Sequence, residues 1–162
     1  MASPPYRKEL FDFGQKVQLY IQKETRHYPF CIHLRVGDQS FSQNYLTTLN
    51  STLQRSINSP SYLKTRPIIL ITDGRDEIRD EIFSRFQKVY SRIYSITDFI
   101  GDTKVFNKHL GFNVDLLHYE AAMCSCSIKF FGHQQSTFSQ RIEFMMKYNY
   151  CKQNLPKSTP KT

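Results

Sequence analysis

Pro67 is followed by Ile68-Ile69-Leu70-Ile71, aliphatic residues in unbroken succession. A strand with one wet face alternates apolar and polar side chains. A run that is apolar on both faces must be covered on both, which is the condition of strands inside parallel sheets. The neighbouring segments have a different period. From Glu9 to Glu24, Leu10, Phe13, Val17 and Ile21 recur at three or four residues, as on one face of a helix, with Gly14 as its weak point. Tyr45, Leu46, Leu49, Leu53 and Ile57 form a second helical face, ended by Asn58-Ser59-Pro60. Ile78, Ile82, Phe86 and Val89 form a third, with Asp76 and Glu77 favourably placed in its first turn. Further strands are predicted over Phe30–Val36, over Ser91–Thr97 (Ile93 and Ser95 alternating with Tyr94 and Ile96), and over Ile128–Phe131. A helix carrying Leu116, Leu117, Ala121 and Met123 or Cys124 runs from Asp115 to about Ser125. A last one, with Phe138, Ile142 and Met145 or Met146 inward, runs from about Phe138 to Tyr148. Asp98–Phe112 has no clear period and reads as a loop. Strands separated by helices predict an α/β domain, a mostly parallel sheet with helices on both faces and right-handed crossovers.

A chain of 162 residues suits one domain, and its 40% hydrophobic and 14% aromatic content excludes general disorder. The domain is expected over residues 1–150, with 151–162 a basic, disordered tail. No apolar run approaches the roughly 18 residues of a membrane span. The N-terminal MASPPYRKELFDF has no apolar core of the kind a secretory signal needs, so no signal peptide is expected in the chain. The net charge of +8 fits either a solvated basic surface or an anionic partner. With no recognition-helix signal, zinc-finger spacing or arginine-rich block, a local anion site is favoured over nucleic-acid binding. Cys31, Cys124, Cys126 and Cys151 have neither CxxC nor zinc spacing. Cys31 reads as a core strand residue, and Cys151 as able to cross-link in an oxidising compartment. Asn50-Ser51-Thr52 is an N-glycosylation sequon, a hint of a secretory route.

The chemistry-bearing segment is Cys31–Asp38, CIHLRVGD. Along a strand, His33 and Arg35 share one face while Ile32 and Leu34 take the other. An arginine fork at the carboxyl end of a strand is suited to phosphate, and open α/β sheets bind ligands at such ends. The plainer alternatives are a surface or salt-bridged Arg35 and a core histidine at His33. His33 is not read as a general base, since no aspartate adjacent in sequence fixes its tautomer. A second segment, Phe131–Gln140, passes from a glycine through a polar loop into a helix. Free amides there, with the Ser136 and Thr137 hydroxyls, make an anion pocket that calls for no metal. A capping box of Thr137 with Gln140 explains the same residues structurally. Asp115 suits a helix cap or an acceptor for the edge of a base. Asp73 lacks the second acid of an aspartyl phosphatase, because position 75 is arginine, and neither a P-loop lysine motif nor GxGxxG is present.

HLRVGD at His33–Asp38, ILITD at Ile69–Asp73, and Asp115 followed by CSCSIKFFGHQQSTFSQRI together resemble the C-terminal half of the protein O-fucosyltransferase family, over roughly residues 29–145. The resemblance implies one half of a GT-B glycosyltransferase, a Rossmann-like domain that holds GDP-fucose without a metal. It implies that Arg35 contacts the diphosphate and assists departure of GDP, and that His33 contacts the ribose or guanine region. Asp115 would accept from the guanine edge, and Ser136, Thr137 and Phe138 would line the phosphate and sugar end. Asp73 would end the family's TD strand. The acceptor would be a protein or glycan hydroxyl, and the compartment the lumen of the endoplasmic reticulum or Golgi. The family's N-terminal domain has no counterpart, because only about 28 residues precede the first strand. The expectation is therefore GDP binding by this half and turnover only with the other. A non-catalytic Rossmann-like module that binds a nucleotide or a protein is the alternative.

Overall fold

The computed structural model describes residues 8–36, 44–74, 76–100, 113–133, 136–147 and 151, without the side chains of Asn44 and residues 113–116. Within them the elements occur in the predicted order: α1 (Lys8–Thr25), β1 (Phe30–Leu34), α2 (Asn44–Ile57), β2 (Ile68–Thr72), α3 (Asp76–Gln87), β3 (Ile93–Tyr94), α4 (Asn113–Ser125), β4 (Lys129–Phe131) and α5 (Thr137–Lys147). The strands form one parallel sheet in the order β3-β2-β1-β4, with Phe30 opposite both Ile68 and Lys129. The fold is α/β and Rossmann-like. No helix among the described residues is long and apolar enough to cross a membrane.

The unbroken apolar run is accounted for by two cores. Ile69 and Ile71 join Cys31, Tyr94 and Ile96 in the one packed by α1, α4 and α5. Ile68 and Leu70 join Phe30, Ile32 and Leu34 in the other, with Leu49 of α2 and Ile82 and Phe86 of α3. Every apolar position predicted for α1 is buried. Gly14, a weak point for helix propensity, is where α1 meets α4. A Cβ there would lie 2.6 Å from the Ala122 carbonyl oxygen and 2.7 Å from Cys126 Sγ. The missing side chain lets two backbones approach, which outweighs its entropic cost. Beside it, fully buried Gln18 donates to the Met123 carbonyl and to Ser127 Oγ, both at 3.1 Å, tying α1 to the end of α4.

Several expectations are corrected. The third strand is two residues long, because the Asp98 carboxylate accepts the Ser95 amide at 2.7 Å and turns the chain into a short 3-10 helix, Ile96–Asp98. Leu117, placed on an apolar helical face by its period, is 47% exposed. The cysteines, uninformative by spacing, pair as Cys31–Cys124 and Cys126–Cys151, with Cα atoms 5.2 and 5.1 Å apart. Both separations suit a disulfide. Cys31 is a core strand residue as expected and is also cross-linked. Cys151 is buried against the domain, while residues 152–162 of the expected tail and most of the expected loop after Asp98 lie outside the described residues.

The chain lays β2 and β3 on one side of β1, then returns through α4 to place β4 on the other. The order therefore reverses between β1 and β4. In open α/β sheets, the crevice beyond the carboxyl ends at such a reversal is the place for a ligand.

Candidate functional site

A cleft of about 330 Å³ opens at that position, lined by His33, Arg35, Ile71, Thr72, Asp73, Leu117, Glu120, Ser136, Thr137 and Phe138. Five of the six residues singled out from the sequence line it: His33, Arg35, Ser136, Thr137 and Phe138. Asp115 belongs to the first turn of α4, the helix that supplies Leu117 and Glu120, and its side chain lies outside the described residues. The period of two places His33 and Arg35 together at the end of β1, where His33 is buried and Arg35 is exposed.

Asp73 shapes the floor. Its Oδ1 accepts the Val36 amide at 2.7 Å, so the ends of β1 and β2 are tied just where β1 leaves the sheet. The following Gly74 leaves room for Val36, whose Cγ2 would be 3.2 Å from a Cβ at that position.

The opposite wall is the start of α5. The expected cap is displaced by one residue and is not a capping box, because the Ser136 amide donates to the His133 carbonyl and not to a side chain three residues on. Ser136 is the cap, because its Oγ accepts the Ser139 amide at 3.3 Å and its carbonyl the Gln140 amide at 3.0 Å. Ser136 is buried, so part of its hydrogen-bonding capacity is committed to the helix. Thr137, exposed at the first helical position, takes over as the accessible hydroxyl. The amides of Thr137 and Phe138 stand before the first helical acceptor and lie at the positive end of the helix dipole. The Phe138 ring packs on His33, with centroids 4.8 Å apart.

His33 is tightly held. Its Nδ1 lies 2.8 Å from Ser139 Oγ. Burial, with His133 and Arg35 acting in the same direction and Asp73 opposing, pushes its pKa down to about 4. The ring is neutral at physiological pH. His133, after β4, stands edge-on to it at 6.0 Å. Burial, and next the Arg55 charge, lowers the His133 pKa as well. Arg55 Nη2 donates to the Gly132 carbonyl at 2.7 Å, bracing the end of β4 from the α2 side.

Two residues of the cleft machinery were not legible as such. Ser139 is an ordinary polar residue inside a helix by sequence. Glu120 is the sole acid among the apolar and aromatic residues Tyr119, Ala121, Ala122 and Met123, and that isolation was its available signal. Burial pushes the Glu120 pKa up to about 7, against the lowering influence of Arg79. It can therefore present either a proton or a charge to a ligand near neutrality.

The same burial makes Glu120 a pH-dependent liability. Folding favours its protonated form, so its contribution is full below the ordinary carboxyl value of 4.5 and is lost as pH rises through about 7. That displacement corresponds to up to about 3 kcal/mol. Glu120→Gln is expected to remove this loss, so that the variant gains on the parent between pH 5 and pH 8. Urea midpoints of the two proteins across that range measure it, and parallel profiles would mean that Glu120 is solvated.

Among the described residues no group of three or more His, Cys, Asp or Glu side chains could hold a metal ion. No protein-family model matches this chain, and no curated protein matches it at a significant level.

Proposed function

We propose that this domain binds GDP-fucose in the cleft between the ends of β1 and β4, and that it is the donor-binding half of a fucosyltransferase-like glycosyltransferase. The observation that carries the reading is the convergence, at the strand-order reversal, of His33 of β1 and Arg35 just after it with the amino end of α5. These segments are far apart in the chain and are the ones on which the resemblance rests. The Arg35 fork and the Thr137 and Phe138 amides provide charge and donors for a diphosphate. Thr137 and Phe138 offer a hydroxyl and an apolar ring to the sugar.

In the transfer itself, an acceptor hydroxyl oxygen would bond to the anomeric carbon of fucose as the bond from that carbon to the β-phosphate oxygen breaks. GDP leaves with the electron pair, the hydroxyl proton passes to solvent or to a base on the acceptor side, and the configuration inverts. Arg35 would stabilise the charge that develops on the leaving diphosphate. A wall opposite the cleft must position the acceptor and exclude water. In this reading a second domain provides it, and turnover requires that domain. The luminal compartment of the secretory pathway accords with two disulfides and with the exposed sequon residue Asn50 on α2.

Calorimetry tests the ligand. GDP is expected to bind the isolated chain more tightly than UDP or ADP, equally in EDTA and in magnesium. Equal affinities for the three nucleotides, or strict dependence on magnesium, would overturn the assignment.

A further inference from the structure

Ser139 has no place in the contacts that the resemblance implies, yet it is fully buried at the point where β1, β4 and α5 meet. Its Oγ receives the His133 amide at 3.0 Å and faces His33 Nδ1 at 2.8 Å. It also sits directly over Gly132, where a Cβ would lie 2.5 Å from it. A glycine at the end of β4 is thus what allows the hydroxyl to reach the histidine.

A serine hydroxyl has one proton and two lone pairs. With the His133 amide occupying one lone pair, there are two ways to complete the contact with His33. If Nδ1 carried a proton and donated it, Oγ would accept twice. Its own buried proton would then have no acceptor among the described residues, at the cost of an unmade hydrogen bond. If Oγ donates to Nδ1, the hydroxyl and Nδ1 are both satisfied, and the imidazole proton must reside on Nε2. His33 lines the cleft, so that N–H is left to serve a ligand.

We propose that Ser139 is a positioning residue that holds the His33 ring in its Nε2–H tautomer, making the end of β1 a fixed hydrogen-bond donor for an oxygen atom of the ligand. This rests on the cleft being the donor site proposed above, though the tautomer itself does not. A donor of this kind suits a ribose hydroxyl or a phosphate oxygen and discriminates against a ligand group that could only donate. The charged or titratable groups facing His33 are Arg35 just after its own strand, Asp73 after β2, and His133 after β4, with Glu120 of α4 lining the same cleft. Burial opposes protonation of the ring, so the donor persists from mildly acidic to basic pH.

Long-range proton–nitrogen correlation spectra of the full chain labelled with [15N]histidine read the tautomer directly, the His33 signals being identified by their loss in His33→Gln. The parent is expected to show His33 as a single species protonated on Nε2, unchanged between pH 5.5 and 8. Ser139→Ala is expected to show a mixture of tautomers and up to roughly tenfold weaker GDP binding, the scale of one neutral hydrogen bond. A His33 ring protonated on Nδ1 in the parent, or an Nε2–H species undiminished in Ser139→Ala, would overturn the proposal. If Ser139→Ala fails to fold, the parent spectrum alone decides. Should GDP not bind the parent, the donor-site reading fails while the tautomer result stands on its own.

Discussion

Arg35→Ala is expected to weaken GDP binding by about 2–5 kcal/mol, the range for losing one partner of a charge pair that becomes covered in a complex. That is roughly 30-fold at its smallest. The melting temperature should hardly change, because Arg35 is exposed and the core beneath it is filled by Ile69, Ile71 and Cys31. Arg35→Lys should recover only part of the loss, since an ammonium is a point charge and cannot reproduce a planar fork across two phosphate oxygens. Calorimetric titration of the parent and both variants, with melting curves alongside, measures the two effects separately. If both variants bind GDP as the parent does, Arg35 is a surface residue and the donor-site reading loses its strongest contact.

Reducing the Cys31–Cys124 disulfide is expected to cost more stability than any point substitution discussed here. The bond closes a loop of 93 residues, from the central strand to the end of α4. Loop-closure entropy for that length corresponds to about 4.6 kcal/mol, added to the unfolded state when the bond is broken. The second bond, Cys126–Cys151, spans 25 residues and should contribute less. A urea midpoint measured with and without reductant reports the sum, and Cys126→Ser/Cys151→Ser isolates the longer loop. Intact mass after alkylation under native conditions should find no free thiol at any of the four cysteines. Stoichiometric labelling of Cys31 or Cys124 in the folded chain would remove the cross-link from the fold.

Much of the site was readable because part of its geometry is local. His33 and Arg35 share a face by strand periodicity alone, and Gly132 followed by a hydroxyl pair marks a helix start. The sequence places the cap one position late because Ser136 and Thr137 have equivalent hydroxyl chemistry. Which of them caps depends on where the helix begins, and the His133 carbonyl settles that by accepting the Ser136 amide at 3.0 Å. Ser139 and Glu120 gain their significance from burial against His33 and in the cleft, and no neighbour in the chain signals it. The alternation that continues through Ile96 predicts a longer third strand, while the ladder is ended by a side chain two residues farther on. The sequence marks Cys151 as able to cross-link, but the pairing of the four cysteines is not legible in it for the same kind of reason. Cys31 and Cys124 are 93 residues apart, and only the crossover of α4 brings them together.

The sequence by itself determined the kind and order of the elements and, for most of them, the face that is buried. Amphipathic periods, proline and glycine boundaries and first-turn acids act over a few residues, and their physical causes are present in the local chain. The parallel order β3-β2-β1-β4, the reversal between β1 and β4, and the cleft above it were decided only in three dimensions. Those features depend on which apolar faces find each other across long loops. Such pairing is chosen by the packing of two whole cores, not by any segment's own preference.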